Sequence, residues 1–260
     1  MKKIKKIVTI VCLYVGILLP VYPISAEQIT DIDKFDANAI NNNTYETIKL
    51  LEEEMSKNNT DVISELEKME LDYKEDLKKI NSSDEEIKIN RILNEITKMK
   101  IEYELYKENG SMQRSVWYEA SITACITYFN MNGYKLSTEL LVQAKVNKKL
   151  DSYYNPSARA LTSITQSSKY WEIRDGKSTS GSAAFPNSGS VSERDCYYAI
   201  HKFSYTKPSS SSKKVTITDR YDYDNTKNYS GIEGVAVNAM YEAQQAGYLT
   251  PFKLKITLGS

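Results

Sequence analysis

The chain has 260 residues, with 34 basic against 34 acidic, one histidine and three cysteines. Balanced charge gives no sign of nucleic-acid or anionic-membrane binding, and the sequence holds no zinc-ligand cluster of His and Cys. No glycine-rich loop of the phosphate-cradling kind is present.

The N-terminus, MKKIKKIVTIVCLYVGILLPVYPISAEQ, sets lysines before an apolar run, Ile7 to Leu19, and ends in Ile-Ser-Ala. It predicts a secretory signal over residues 1–26, cleaved after Ala26, because Pro20, Pro23 and the short apolar run argue against a stable membrane span. Loss of Lys2, Lys3, Lys5 and Lys6 leaves 30 basic against 34 acidic residues, a formal charge of −4. The expected location is secreted or extracellular, with retention at the cell surface as an alternative. The mature length suits one large domain or two small ones. Its two cysteines, Cys125 and Cys196, are read equally as a disulfide or as two buried thiols.

From Thr44 to Glu108 the chain is highly charged and lacks Pro and Gly. A helix around Tyr45 to Met55 is expected to end at Asn58 and Asn59. Apolar residues then recur in steps of three or four at Val62, Leu66, Met69, Tyr73, Leu77 and Ile80, and again at Ile92, Ile96, Met99, Tyr103 and Tyr106. These narrow stripes predict a coiled-coil-like helical hairpin, an arm over residues 27–108, with Ser83 and Glu86 forming a capping box at the second helix. Its charge pairs read as a solvated surface.

Residues 111–260 predict an α+β domain, a helical layer packed on a small mixed sheet. SVWYEASITACITYFNMNG has a wide apolar face and a stop at Gly133, and a second helix starts near Ser137. DGKSTSGSAAFPNSGSVS, residues 175–192, reads as a flexible Ser/Gly loop. DCYYAIHKFSYT and KKVTITDRYDYD read as two strands of one hairpin. Ile232 to Ala243 line a helix, with Ser230 and Glu233 as its capping box and Gly247 as its stop, and FKLKITL alternates as a closing strand.

Alternation in VTITDRY puts Asp219 on the apolar face with Val215, Ile217 and Tyr221. Pairing Tyr205 with Val215 sets Phe203 opposite Ile217 and His201 opposite Asp219, so the only imidazole would satisfy a buried carboxylate. Such a pair either fixes hairpin register or forms the base and orienter of a hydrolytic site, which lacks an evident nucleophile. Cys196 falls on the other face of that strand from His201, which argues against a cysteine protease.

Asp222, Asp224, Thr226, Asn228, Ser230 and Glu233 follow the spacing of a calcium loop, with Asp222 and Asp224 as metal ligands, although Lys227 stands where that loop needs glycine. A plain turn is the alternative, and no resident cofactor is expected. Tyr197, Tyr198, Tyr205, Tyr221, Tyr223 and Tyr229 crowd one hairpin. If exposed they would anchor a protein or stack on a glycan; otherwise they are strand packing.

Asp219-Arg220-Tyr221-Asp222 resembles the Asp-x-Tyr-Asp element of the catalytic domains of colicin M-like bacteriocins. That family cleaves the lipid-linked cell-wall precursor at its pyrophosphate with magnesium, and the resemblance implies that Asp219 and Asp222 are catalytic carboxylates. Tyr229 and no histidine or arginine follow here, where the family has a His-Arg pair. Residues 112–258 are similar in pattern to C-terminal domains of uncharacterised exported proteins and toxins of Gram-positive bacteria. The expectation is an exported protein- or glycan-binding effector module. The alternative is a toxin-like hydrolase of a cell-envelope substrate, using Asp219 with His201 or Asp222.

Overall fold

A computed structural model describes residues 37–109, 114–224 and 231–259. The expected signal segment, 1–26, lies outside the described residues. The fold is α+β, and Ile40–Ser260 form one compact unit. Among the described residues no helix is long and apolar enough to cross a membrane.

Helix α1, Ala37–Lys57, stops where Asn59 takes a positive φ of 55°, a conformation asparagine tolerates. Helix α2, Val62–Leu77, starts at Asp61, whose carboxylate accepts from the Ser64 amide at 2.8 Å. Helix α3, Ser83–Asn109, begins one residue earlier than the expected box. Ser83 is already helical, and the Ser82 carbonyl takes the Glu86 amide.

The predicted stripes are buried, with Leu66, Met69, Ile96 and Met99 fully so. The hairpin is nevertheless no separate arm. Helices α4, Arg114–Met131, and α5, Lys135–Val146, pack along it and share its core. Polar ties reinforce that junction. The Asn130 amide donates to Glu65 at 2.5 Å, and Arg159 reaches Asp72 at 2.6 Å and Asp76 at 3.0 Å. Lys145, 4 % exposed, meets Glu95 at 2.7 Å, Glu102 at 3.1 Å and Glu119 at 2.6 Å. Burial acts to lower the Lys145 pKa, but the three carboxylates outweigh it and hold the ammonium protonated. Lys145→Met leaves those carboxylates facing one another, with an expected loss of about 2–3 kcal/mol in urea unfolding.

Gly133, with φ 76°, ends α4, and Gly247, with φ 82°, follows α9, Gly231–Gln245, as their placement predicts. Between them lie β1, Tyr153–Tyr154, α6, Ala158–Thr165, α7, Ser168–Asp175, β2, Ser180–Ala184, α8, Val191–Ala199, β3, Lys202–Thr206, and β4, Val215–Tyr221. The closing strand is β5, Phe252–Leu258. The sheet order is β1-β5-β4-β3-β2, parallel between β1 and β5 and antiparallel elsewhere.

Three expectations about this half are corrected. The segment 175–192 is not simply a loop, because β2 runs through it and pairs with β3 from Ser180↔Thr206 to Ala184↔Lys202. Small residues suit this edge strand, where the Tyr205 ring lies directly over Gly181. Next, Asp195 to Ala199 are helical rather than extended. The Ser190 and Glu193 side chains complete a capping box that starts α8 and overrides the strand propensity of Cys-Tyr-Tyr. Finally, β3 pairs with β4 two residues away from the expected register, Tyr205 standing opposite Ile217 rather than Val215. A two-residue slip keeps every side chain on its own face, so the apolar pattern alone does not choose between the registers.

Cys125, on α4, and Cys196, on α8, are both free and buried. Burial raises both thiol pKa values, so neither forms an appreciable thiolate at neutral pH. Alkylation mapped by mass spectrometry is expected to spare both in the native protein and modify both in denaturant.

Candidate functional site

On the inner face of the sheet, Val215, Ile217, Phe252, Leu254 and Ile256 are at most 1 % exposed. Asp219 is the only charged residue at an inner position of these strands, as the alternation predicts. It is half-buried because the β3–β4 ladder stops at Ser204↔Thr218, so β4 runs on beside the α8–β3 junction.

That junction turns at His201. The end of α8 closes with the Ile200 and His201 amides both donating to the Cys196 carbonyl, at 2.9 and 3.1 Å. His201 then adopts φ 49°, an uncommon left-handed conformation, while its carbonyl accepts from the Phe185 amide at 2.8 Å. The chain's single imidazole is thereby swung against Tyr197, with ring centroids 4.6 Å apart.

A cleft of about 260 Å³ opens between this junction, the end of β4 and Val237 of α9. His201 and Asp219 both line it, together with Arg220, Asp222 and Asp224. The expected strand pair of His201 with Asp219 is absent, and no hydrogen bond or ion pair joins them. Both residues nonetheless face one cavity, reached by a helix end and a strand end instead of adjacent strands.

The electrostatics of the two groups diverge. Burial pushes the Asp219 carboxyl up to about 7, opposed by the Arg220 amide and helped by the charge of Asp222. His201 is lowered by burial and then by neighbouring Lys202, which favours the neutral imidazole at pH 7. Asp222 is exposed and accepts from Arg220 Nε at 3.0 Å, while the same guanidinium meets Asp151 at 3.0 Å.

The tyrosines are placed differently from a stacking platform. Tyr197, Tyr221 and Tyr223 are buried. Tyr221 stacks on Phe252 at 5.0 Å, and its hydroxyl lies 2.5 Å from that of Tyr223. Gln244 of α9 fixes Tyr223 by bonds to both its amide and its carbonyl. These three line the cleft as packed walls, whereas Tyr205 covers Gly181 outside it. Of the expected calcium-loop residues, exposed Asp224 lies at the cleft, and Thr226, Asn228 and Ser230 lie outside the described residues. Among the described residues no three His, Cys, Asp or Glu side chains converge as a metal cage.

Tyr198, named with the other tyrosines, lies in the cleft wall, whereas sequence reasoning missed Lys202 and Arg220 there. It also missed two structural carboxylates. Asp195 is fully buried and accepts from the Leu136 and Ser137 amides, both at 2.8 Å, capping α5 from a distance. Glu139, equally buried, accepts from Tyr154 at 2.8 Å and from the Ser157 amide at 2.6 Å. The available signal was Tyr134, which precedes α5 and supplies no side-chain cap of its own.

Comparison of the chain with protein-family models, curated proteins and solved structures found no match.

Proposed function

We propose that this is an exported effector whose cleft at the end of β4 carries out acid–base hydrolysis on a polar cell-envelope substrate. The supporting observation is Asp219, a carboxyl held near neutral pKa on the apolar face of the sheet yet open to a cleft that it shares with the sole histidine. A general acid is most effective when its pKa lies near the working pH. In this reading protonated Asp219 gives its proton to the departing oxygen, and neutral His201 takes a proton from the attacking water. The charge of neighbouring Asp222 helps to keep the Asp219 proton in place. The resemblance of Asp219 to Asp222 to the Asp-x-Tyr-Asp element supports the same two residues. If magnesium takes part as in that family, Asp222 and Asp224 are the exposed carboxylates available to it at the cleft.

The test is release of soluble product from purified cell-wall fragments and from lipid-linked precursor. Turnover is expected for the wild type and lost in His201→Gln and Asp219→Asn, both folded by circular dichroism. Its pH profile is expected to fall on the alkaline side with a midpoint near 7 as Asp219 ionises. Turnover that survives both substitutions removes this reading.

A second reading, a protein- or glycan-binding module, is favoured by the cleft wall being, among the described residues, one of Tyr, charged and apolar side chains without a Ser or Cys. Under it, Asp219→Asn leaves ligand capture unchanged.

A further inference from the structure

The outward face of the sheet is chemically unlike the rest of the chain. Its strand positions carry Ser and Thr hydroxyls, such as Ser182, Ser204, Thr218 and Thr257, and its charged residues are all cations: Lys202, Arg220, Lys253 and Lys255. The register sets Lys253 directly opposite Arg220. Like charges in that position weaken a sheet, so the arrangement has a stability cost that packing does not explain. Arg220 is compensated by Asp151 and Asp222, but Lys202, Lys253 and Lys255 have no carboxylate partner among the described residues. An open groove of about 520 Å³ crosses this face past Tyr153, Ser182, Lys202 and Lys253.

From this geometry we infer a second binding surface, for an extended phosphodiester polymer of hydroxyl-rich units, of the poly(glycerol phosphate) kind. Lysines without a carboxylate partner, one of them with its ammonium 5.9 Å from the Tyr153 ring centre, supply the charge complement to spaced phosphates, and the Ser and Thr rows hydrogen-bond phosphate and hydroxyl oxygens alike. Single-stranded nucleic acid fits less well because base stacking needs a row of exposed rings, and this face offers only Tyr153. A bilayer fits less well because no apolar side chain projects from the charged strands to enter it. The surface meets the cleft at Lys202, Asp219 and Arg220, so one carboxyl stands at the groove's edge among the cations, but the inference is independent of acid–base chemistry there.

The experiment is anisotropy of a labelled poly(glycerol phosphate) oligomer titrated with the protein across a salt series, with oligo(dT) and anionic vesicles as parallel probes. Saturable binding to the polymer is expected, weakening with salt. The triple exchange Lys202→Gln, Lys253→Gln and Lys255→Gln is expected to reduce affinity by about tenfold or more and the log–log salt slope by about 2. If the triple variant does not fold, each single exchange is expected to remove about a third of that slope. The inference is overturned by no saturable polymer binding at low salt, by unchanged affinity in folded lysine variants, or by tighter binding of oligo(dT) or vesicles.

Discussion

Asp219→Asn is expected to reduce turnover by about 10²- to 10⁴-fold, the usual contribution of a general acid, while making the protein more stable above pH 7. The direction follows from the raised pKa. A carboxyl that titrates at 3.8 when unfolded and at about 7 when folded stabilises the fold fully below 3.8, and that contribution is lost as pH rises through 7. Above 7 the wild type carries a charge on the apolar face of its sheet. The neutral amide avoids it. At about 1.4 kcal/mol per pKa unit the gain is at most about 4 kcal/mol, and about 2 kcal/mol once water at the cleft mouth is allowed for. Thermal unfolding of both proteins from pH 4 to 9 checks it: the curves should nearly coincide in acid and separate through neutrality.

Asp195→Ala is expected to be the most destabilising of the exchanges considered, costing about 3–5 kcal/mol of the 5–15 kcal/mol that holds a typical domain together. Asp195 is 0 % exposed. Besides the two amides at the start of α5 it accepts from Ser137 Oγ at 2.7 Å and Ser163 Oγ at 2.6 Å, joining α8 to α5 and α6. Alanine leaves the two amides and the Ser163 hydroxyl buried without an acceptor, while the Ser137 hydroxyl keeps only the Asp195 backbone carbonyl at 3.1 Å. Asp195→Asn should recover only part of the loss, because its amide nitrogen must face donors. Urea midpoints of the three proteins test this ordering, and a loss below about 1 kcal/mol for Asp195→Ala would refute the capping role.

The helices that were legible in the sequence have strong local causes. The period of three and four in Val62 to Tyr106, the stops at Gly133 and Gly247 and the alternation of Phe252 to Leu258 are each written in a few neighbouring residues. What misled was decided at longer range. Cys196-Tyr197-Tyr198 has strand composition, yet Ser190 and Glu193 start a helix ahead of it. The β3–β4 register is set beyond the hairpin, by full pairing of β4 with β5 and by buried Lys207, whose ammonium donates to the carbonyls of Ile173, Arg174 and Gly176 at the end of α7. The position of Asp219 on the apolar face was legible, because alternation survives a two-residue slip. His201 was matched to it for a reason that did not hold: the imidazole reaches the cleft through a left-handed turn after α8. Asp195 itself was not legible: Tyr134 before α5 signals that a cap must come from elsewhere, but a cap contributed by one helix to another leaves no local pattern that names its source.

The central claim is that Asp219 carries an exchangeable proton near neutrality in an open cleft. The most direct measurement is the ¹³Cγ chemical shift of Asp219 followed by NMR from pH 3 to 9, assigned by difference with Asp219→Asn. A single transition with its midpoint near 7 is the result this account predicts. A midpoint near 4 would mean that the carboxylate is fully solvated and ionised at neutral pH, which contradicts its role as the acid of the cleft.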